Sequence, residues 1–179
     1  MARANKTRFA VLGILSLGSA SGYDIKKMMA QSTDHFWREG DGSIYPILKQ
    51  LLDEGLLTCE IENSDSEKPK KVYSLTVDGQ QELEDWLVED PSLFPNRNEL
   101  LLKVFFGWNV DPKITIHHIE NFKRTVQSIK DKYETIAQQM FPQPLSGAKL
   151  FQFLTLKAGM INSAASLEWC DEALRMLKK

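Results

Sequence analysis

Between residues 44 and 53 apolar and polar positions separate onto two sides of a helix. At 100° per residue Ile44, Ile47, Leu48, Leu51 and Leu52 cluster, and Tyr45, Pro46, Lys49, Gln50 and Asp53 fall opposite. Gly55 suits the left-handed position that follows a helix end. The period then changes. Residues 56–61 and 70–76 read as strands, separated by the turn-rich stretch 63–69. Helix, strand, charged hairpin tip, strand is the layout of a winged helix-turn-helix that reads DNA.

The flanking pattern extends that picture. Phe9, Leu12 and Leu15 recur at spacings of three beside Val11 and Ile14, which predicts a largely buried first helix over about 7–17. Ser21 suits an N-cap for a second helix over 22–32, with Ile25, Met28 and Met29 inward. Phe36 and Trp37 open an aromatic turn that ends in Gly40 and Gly42. A fourth helix follows Thr76 and carries Val77, Leu83, Trp86 and Leu87. Pro91 and Pro95 then break the pattern, which places a domain boundary there: 1–89 as a DNA-binding domain and 90–179 as a helical dimerisation domain.

In the second half, residues 99–108 are so apolar that the helix they predict should be buried on more than one side. Asp111 and Pro112 suit the opening of a long helix. Along it Ile119, Phe122, Val126, Ile129, Tyr133, Ile136 and Met140 repeat at alternating spacings of three and four, a heptad seam that should pack lengthwise on another helix. Pro142 and Pro144 end it. A last helix over 146–177 has its own seam: Phe153, Leu156, Met160, Ser163, Leu167, Cys170, Leu174 and Leu177. A second apolar line runs through Leu150, Leu154, Ala158, Ile161, Ala165 and Trp169. One partner helix cannot cover both lines, so a second copy of the chain is expected, docked on Phe153, Leu156, Met160, Leu167, Cys170, Leu174 and Leu177. The fold class is mainly α with a small β-hairpin: an N-terminal winged helix-turn-helix followed by an antiparallel long-helix dimerisation domain.

Composition adjusts the functional reading. The chain has 179 residues, 42% hydrophobic and 26% charged, enough for a packed core in one or two small domains. No apolar run reaches the roughly 20 residues that span a bilayer. The basic start followed by apolar residues 9–17 reads as a core helix rather than a leader, because the pattern runs directly into folded sequence. Cys59 and Cys170 lie far apart without metal spacing, which points to a cytoplasmic protein with reduced thiols. Net charge is -2. Residues 1–85 hold 10 Lys/Arg against 14 Asp/Glu, so the proposed DNA-binding segment is itself acidic. Its cations are clustered, Arg3, Lys6 and Arg8 at the start and Lys68, Lys70 and Lys71 at the hairpin. Such a patch serves a specific site while the remaining surface repels random DNA.

Candidate roles follow from that placement. Tyr45 and Lys49 would reach base edges or phosphates from a helix in the major groove, with Pro46 and Gln50 on the same face. Ser43 would cap that helix or donate to phosphate. Lys68, Lys70 and Lys71 would track phosphates from the wing, beside Tyr73; the alternative is an edge-protecting charge cluster. Arg3, Lys6 and Arg8 read equally as DNA contacts or as a basic tail. Tyr23 reads as a packed ring whose hydroxyl is tied down or near phosphate. Trp108 and Trp169 are candidates to line a ligand pocket, although tryptophans more often serve a core or an interface.

Enzyme readings lack residues. His117 and His118 are adjacent, so on a helix they point about 100° apart and make a poor metal pair. Ser19 and Ser21 have no nucleophile elbow, and residues 40–42 lack the lysine and length of a phosphate loop. Acidic neighbours at Glu168, Asp171 and Glu172 oppose a reactive Cys170. No metal and no cofactor is expected.

With these pieces placed, the chain resembles PadR-family transcriptional regulators. The matching residues are Gly13, Ile14 and Leu15; Ser21 to Ile25 in order; Phe36 and Trp37; Gly42 to Leu48 in order, with Leu51, Gly55 and Leu56; then Tyr73 to Thr76, Gly79, Trp86 and Leu87. The second half is similar to the virulence-activator-like C-terminal domain of one subgroup, through Arg97 to Lys103 and Glu168 to Ala173. The resemblance implies a dimeric, sequence-specific regulator, a repressor in the first instance, on a near-palindromic double-stranded operator. Some members of that family respond to small aromatic acids or drugs, which leaves a small-molecule effector open. Lys70 and Lys71 stand where such proteins often carry arginine, keeping the charge without the bidentate fork. A winged-helix module that binds protein instead of DNA is the alternative; its docking face should be apolar or acidic, unlike Tyr45, Lys49 and Gln50.

Overall fold

The structure, a computed structural model, describes residues 6–33, 37, 44–62, 69–91 and 98–178. It divides into two compact units, residues 1–92 and 93–179.

The first unit is built from α1 (Thr7–Leu15), β1 (Ala20–Ser21), α2 (Gly22–Ser32), α3 (Ile44–Asp53), β2 (Leu57–Glu62), β3 (Lys70–Leu75) and α4 (Val77–Leu87). α2 and α4 start where side-chain caps dictate: Ser21 Oγ accepts from Asp24 N–H, and Thr76 Oγ1 accepts from Gly79 N–H. After α3, Gly55 takes φ +75°, the left-handed conformation that lets the chain turn at once into β2. The sheet is antiparallel in the order β1-β3-β2. β1 is an addition to the sequence reading, which gave Ser21 only a capping role; two residues are too few to show a strand period.

One core holds this unit together. Val11, Leu12, Ile25, Leu48 and Leu51 are fully buried in it, and Tyr73 and Leu83 close it from β3 and α4. Phe9 stacks on Trp86 with ring centroids 4.5 Å apart, fixing α4 on α1. Gly79 permits a close approach: a Cβ there would sit 2.2 Å from the Leu56 carbonyl oxygen.

The second unit comprises α5 (Glu99–Phe105), a 3-10 turn (Gly107–Asn109), α6 (Pro112–Met140) and α7 (Gly147–Leu177). Asp111 caps α6 through Lys113 N–H, with Pro112 in the first turn. α6 and α7 run antiparallel, as ion pairs Glu120–Lys178 and Lys123–Asp171 and the contact of Tyr133 with Gly159 require. Their seam buries Ile119 and Val126 against Leu156, Ser163, Leu167, Cys170 and Leu174. α5 departs from expectation. None of its residues is buried, and Leu101, Leu102, Phe105 and Phe106 face solvent, because within one chain α6 offers it a single side.

Candidate nucleic-acid interface

Burial of Ile44, Ile47, Leu48 and Leu51, none above 3% exposed, sets the rotation of α3 about its axis. That rotation leaves Tyr45, Pro46, Lys49 and Gln50 outward. Tyr45 is 57% exposed, and its ring lies across Gly22, where a Cβ would come within 2.8 Å of Tyr45 Cε1. Tyr23, the next residue along α2, is also exposed, which corrects the expectation of a packed ring. Both phenols therefore stand beside the N-terminal end of α2.

Gln50 looks the other way along the helix. Its amide donates to Glu54 Oε1 at 2.8 Å, and Glu54 Oε2 in turn meets Arg8 at 2.5 Å. Arg8 also pairs with Glu82 at 2.6 Å. The Gln50 amide, helped by the Arg8 guanidinium, holds the Glu54 carboxyl below its ordinary range. Arg8, read equally as a DNA contact, is thus a clamp between the end of α3 and α4. Lys6 occupies the N-cap position of α1 and is half-buried. Arg3, Ser43 and Lys68 lie outside the described residues.

The wing lysines differ from one another. In the β2–β3 register Lys70 faces Glu62 and Lys71 faces Ile61. Lys70 Nζ lies 2.7 Å from Asp24 Oδ2, and the same oxygen accepts the Ser21 hydroxyl at 2.7 Å. The Lys70 ammonium, followed by Ser21, pulls the Asp24 carboxyl down to about 2, and Asp24 raises Lys70 in return. Lys71 is exposed. Tyr73 does not belong to this surface. Only 7% exposed, it fills the core, and burial raises its phenol. Strand alternation puts Tyr73 on the same face of β3 as Leu75, which also packs on the core, and as Lys71, which lies nearer the hairpin tip and is exposed.

In the second unit the seam on α7 is already covered inside the subunit. Leu156, Leu167, Cys170 and Leu174 pack beneath α6, so the expected docking of a second copy on them is corrected; Phe153 and Met160 are half-buried, and Leu177 is exposed. The heptad pattern identified a helix–helix contact, and α6 supplies it within the chain. The exposed line is the other one, with Leu150, Leu154 and Ile161 in solvent. Burial, followed by Asp171, raises the Cys170 thiol.

Trp108 and Trp169 stand in different settings. Trp108 is 72% exposed beside Phe105 and Phe106, and Trp169 sets its ring edge-on to Phe122 in the α6–α7 core. A hollow of about 240 Å³ does open between α5 and α6, lined by Glu99, Leu100, Lys103, His118, Asn121 and Phe122. Sequence reasoning missed it, since its lining is spread over two helices without a motif. Among the described residues no group of three or more His, Cys, Asp or Glu is placed to hold a metal. Among them, too, no helix is long and apolar enough to cross a membrane.

Comparison with known proteins places this surface in context. A model of the transcriptional regulator PadR-like family matches residues 11–85, and one of the virulence activator alpha C-term domain matches residues 96–178. The negative transcriptional regulator PadR of Bacillus subtilis (strain 168) is 28% identical over 177 residues, spanning 96% of this chain and 97% of the relative. Its crystal structure in complex with operator DNA superposes with a TM-score of 0.86 at 26% identity, covering 96% of this chain and 98% of that one. Its structure in complex with p-coumaric acid gives 0.80 at 27% identity, with coverage of 96% and 98%.

Proposed function

We propose that this chain, a PadR-like transcriptional regulator carrying a virulence-activator-type C-terminal domain, is a dimeric repressor that reads DNA with the outer face of α3. The observation that carries this reading is the two-sided burial of α3. Its apolar side is locked in the core while Tyr45, Pro46 and Lys49 project from a rigid helix. A helix so held presents an aromatic ring, its hydroxyl and an ammonium at fixed spacing, which suits base edges and adjoining phosphates. Lys71 extends the contact from the wing to the backbone. The match to a relative solved in complex with operator DNA supports DNA as the partner.

Two copies act together. The apolar residues that one subunit leaves in water, along α5 and on the second line of α7, form the dimer contact. Twofold symmetry makes the operator near-palindromic, with half-sites about one helical turn apart or a multiple of it. No cofactor takes part, and the protein works in the cytoplasm. A small aromatic acid is the effector class to try first, since the Bacillus subtilis relative was solved with p-coumaric acid.

Genomic fragments retained by the purified protein at low salt, then sequenced, test this reading. An inverted repeat is expected. Retention of no fragment, with or without cell extract, overturns it in favour of a protein-binding winged helix.

A further inference from the structure

Lys70, at the base of the wing, is not idle in the free chain. Asp24 holds it at 2.7 Å, and Asp24 is itself held. The Ser21 hydroxyl donates to Asp24 Oδ2 at 2.7 Å, while the Asp24 N–H donates back to Ser21 Oγ at 3.2 Å. This reciprocal cap fixes the carboxylate at the start of α2, and β1–β3 pairing fixes Ser21 opposite Val72, two residues from Lys70. Glu62 adds a second negative charge across the β2–β3 ladder. Lys71 instead faces Ile61 across the ladder.

A carboxylate oxygen and a phosphate oxygen ask the same thing of an ammonium: a short, charge-assisted hydrogen bond. One lysine head cannot give its full charge to both. An ordinary surface carboxylate loses entropy when it pairs, but this one is already oriented by Ser21, which makes it a stronger rival. We propose that Asp24 is an intramolecular stand-in for a DNA phosphate, occupying Lys70 in the free protein and surrendering it when the wing meets the backbone. The inference rests on the DNA-binding reading and adds a restraint to it. Every encounter with DNA, operator or random, must first displace Asp24, so one contact lowers the affinity for every duplex.

Asp24→Asn tests this, because the amide oxygen still accepts the Ser21 hydroxyl and circular dichroism can verify the fold. Titrations would use an operator duplex from the genomic capture and a scrambled duplex of equal length. The variant should bind both about two- to fivefold more tightly, the range an exposed ion pair carries. Its plot of log affinity against log salt should steepen by up to about one unit, the release from one phosphate. In a Lys70→Ala background Asp24→Asn should change nothing. Unchanged or weakened binding by Asp24→Asn overturns the inference alone. So does an equal gain in the Lys70→Ala background, which would mark simple removal of a repelling charge. Wild-type protein that binds neither duplex at low salt overturns the DNA reading and this inference with it.

Discussion

The Tyr45 ring rests on the bare backbone of Gly22, so closely that a methyl group there would stand 2.8 Å from Cε1 and 3.3 Å from Leu48 Cδ1. The first helix turn of α2 thereby aims the one aromatic group on α3. Gly22→Ala should push the ring aside without unfolding the protein, since the tightest clash falls on a solvent-facing side chain and the buried Leu48, at 3.3 Å, need yield only slightly. Operator affinity should fall and preference over random DNA flatten, as in Tyr45→Ala, and the double variant should be no worse than Tyr45→Ala alone. Competition titrations check this; additive losses would show that Gly22 acts elsewhere. Lys71→Ala should instead weaken all DNA alike and lower the salt slope by about one unit.

Gly79→Ala meets backbone rather than a movable ring. The 2.2 Å approach to the Leu56 carbonyl oxygen leaves no rotamer to yield, so α4 must back away from the sheet. A destabilisation at or above the usual overpacking range of about 1–3 kcal/mol is expected in urea unfolding.

The two apolar lines of α7 should answer differently to charge. Leu154→Glu and Ile161→Glu fall on exposed positions and should yield soluble, folded monomers in sedimentation. Leu167→Glu and Leu174→Glu place a carboxylate beneath α6 and should destabilise the subunit itself, by several kcal/mol if the charge stays buried. Dimers persisting in the first pair would move the subunit contact to another surface.

Acid should loosen the base of the wing before it unfolds the core. The Asp24 carboxyl titrates at about 2 in the folded chain against an ordinary 3.8, so the folded state binds fewer protons between those values. Its contribution is complete above about pH 4 and is lost as pH falls through about 2. Because the pair is exposed the effect on global stability should be small. The measurement is the acid limb of a thermal-stability profile, which Asp24→Asn should flatten over that window.

Much of this was legible along the chain, and the failures share a cause. α3 showed itself because burial on one side and exposure on the other leave a period of 3.6 in the residues themselves. The α6–α7 seam showed itself for the same reason, but a seam records only that a helix is covered. It carries no mark of which chain covers it, so Leu156, Leu167, Cys170 and Leu174 pointed to a second subunit when α6 was the cover. Tyr73 was misplaced by its neighbourhood: close behind two lysines it looks like surface, yet the part of β3 it occupies lies over the core. Asp24 and Lys70 lie 46 positions apart and meet beside β1, a strand too short to announce itself.

As a subunit contact, the uncovered line on α7 would also tie gene control to the amount of regulator in the cell. If its side chains leave water only when two chains meet, the DNA-competent species rises with the square of the monomer wherever monomers predominate. Halving synthesis then lowers that species about fourfold, by mass action alone. A gene set by this protein would switch over a narrow range of its dosage, a sharpness that comes from a stripe of leucine and isoleucine rather than from any base contact.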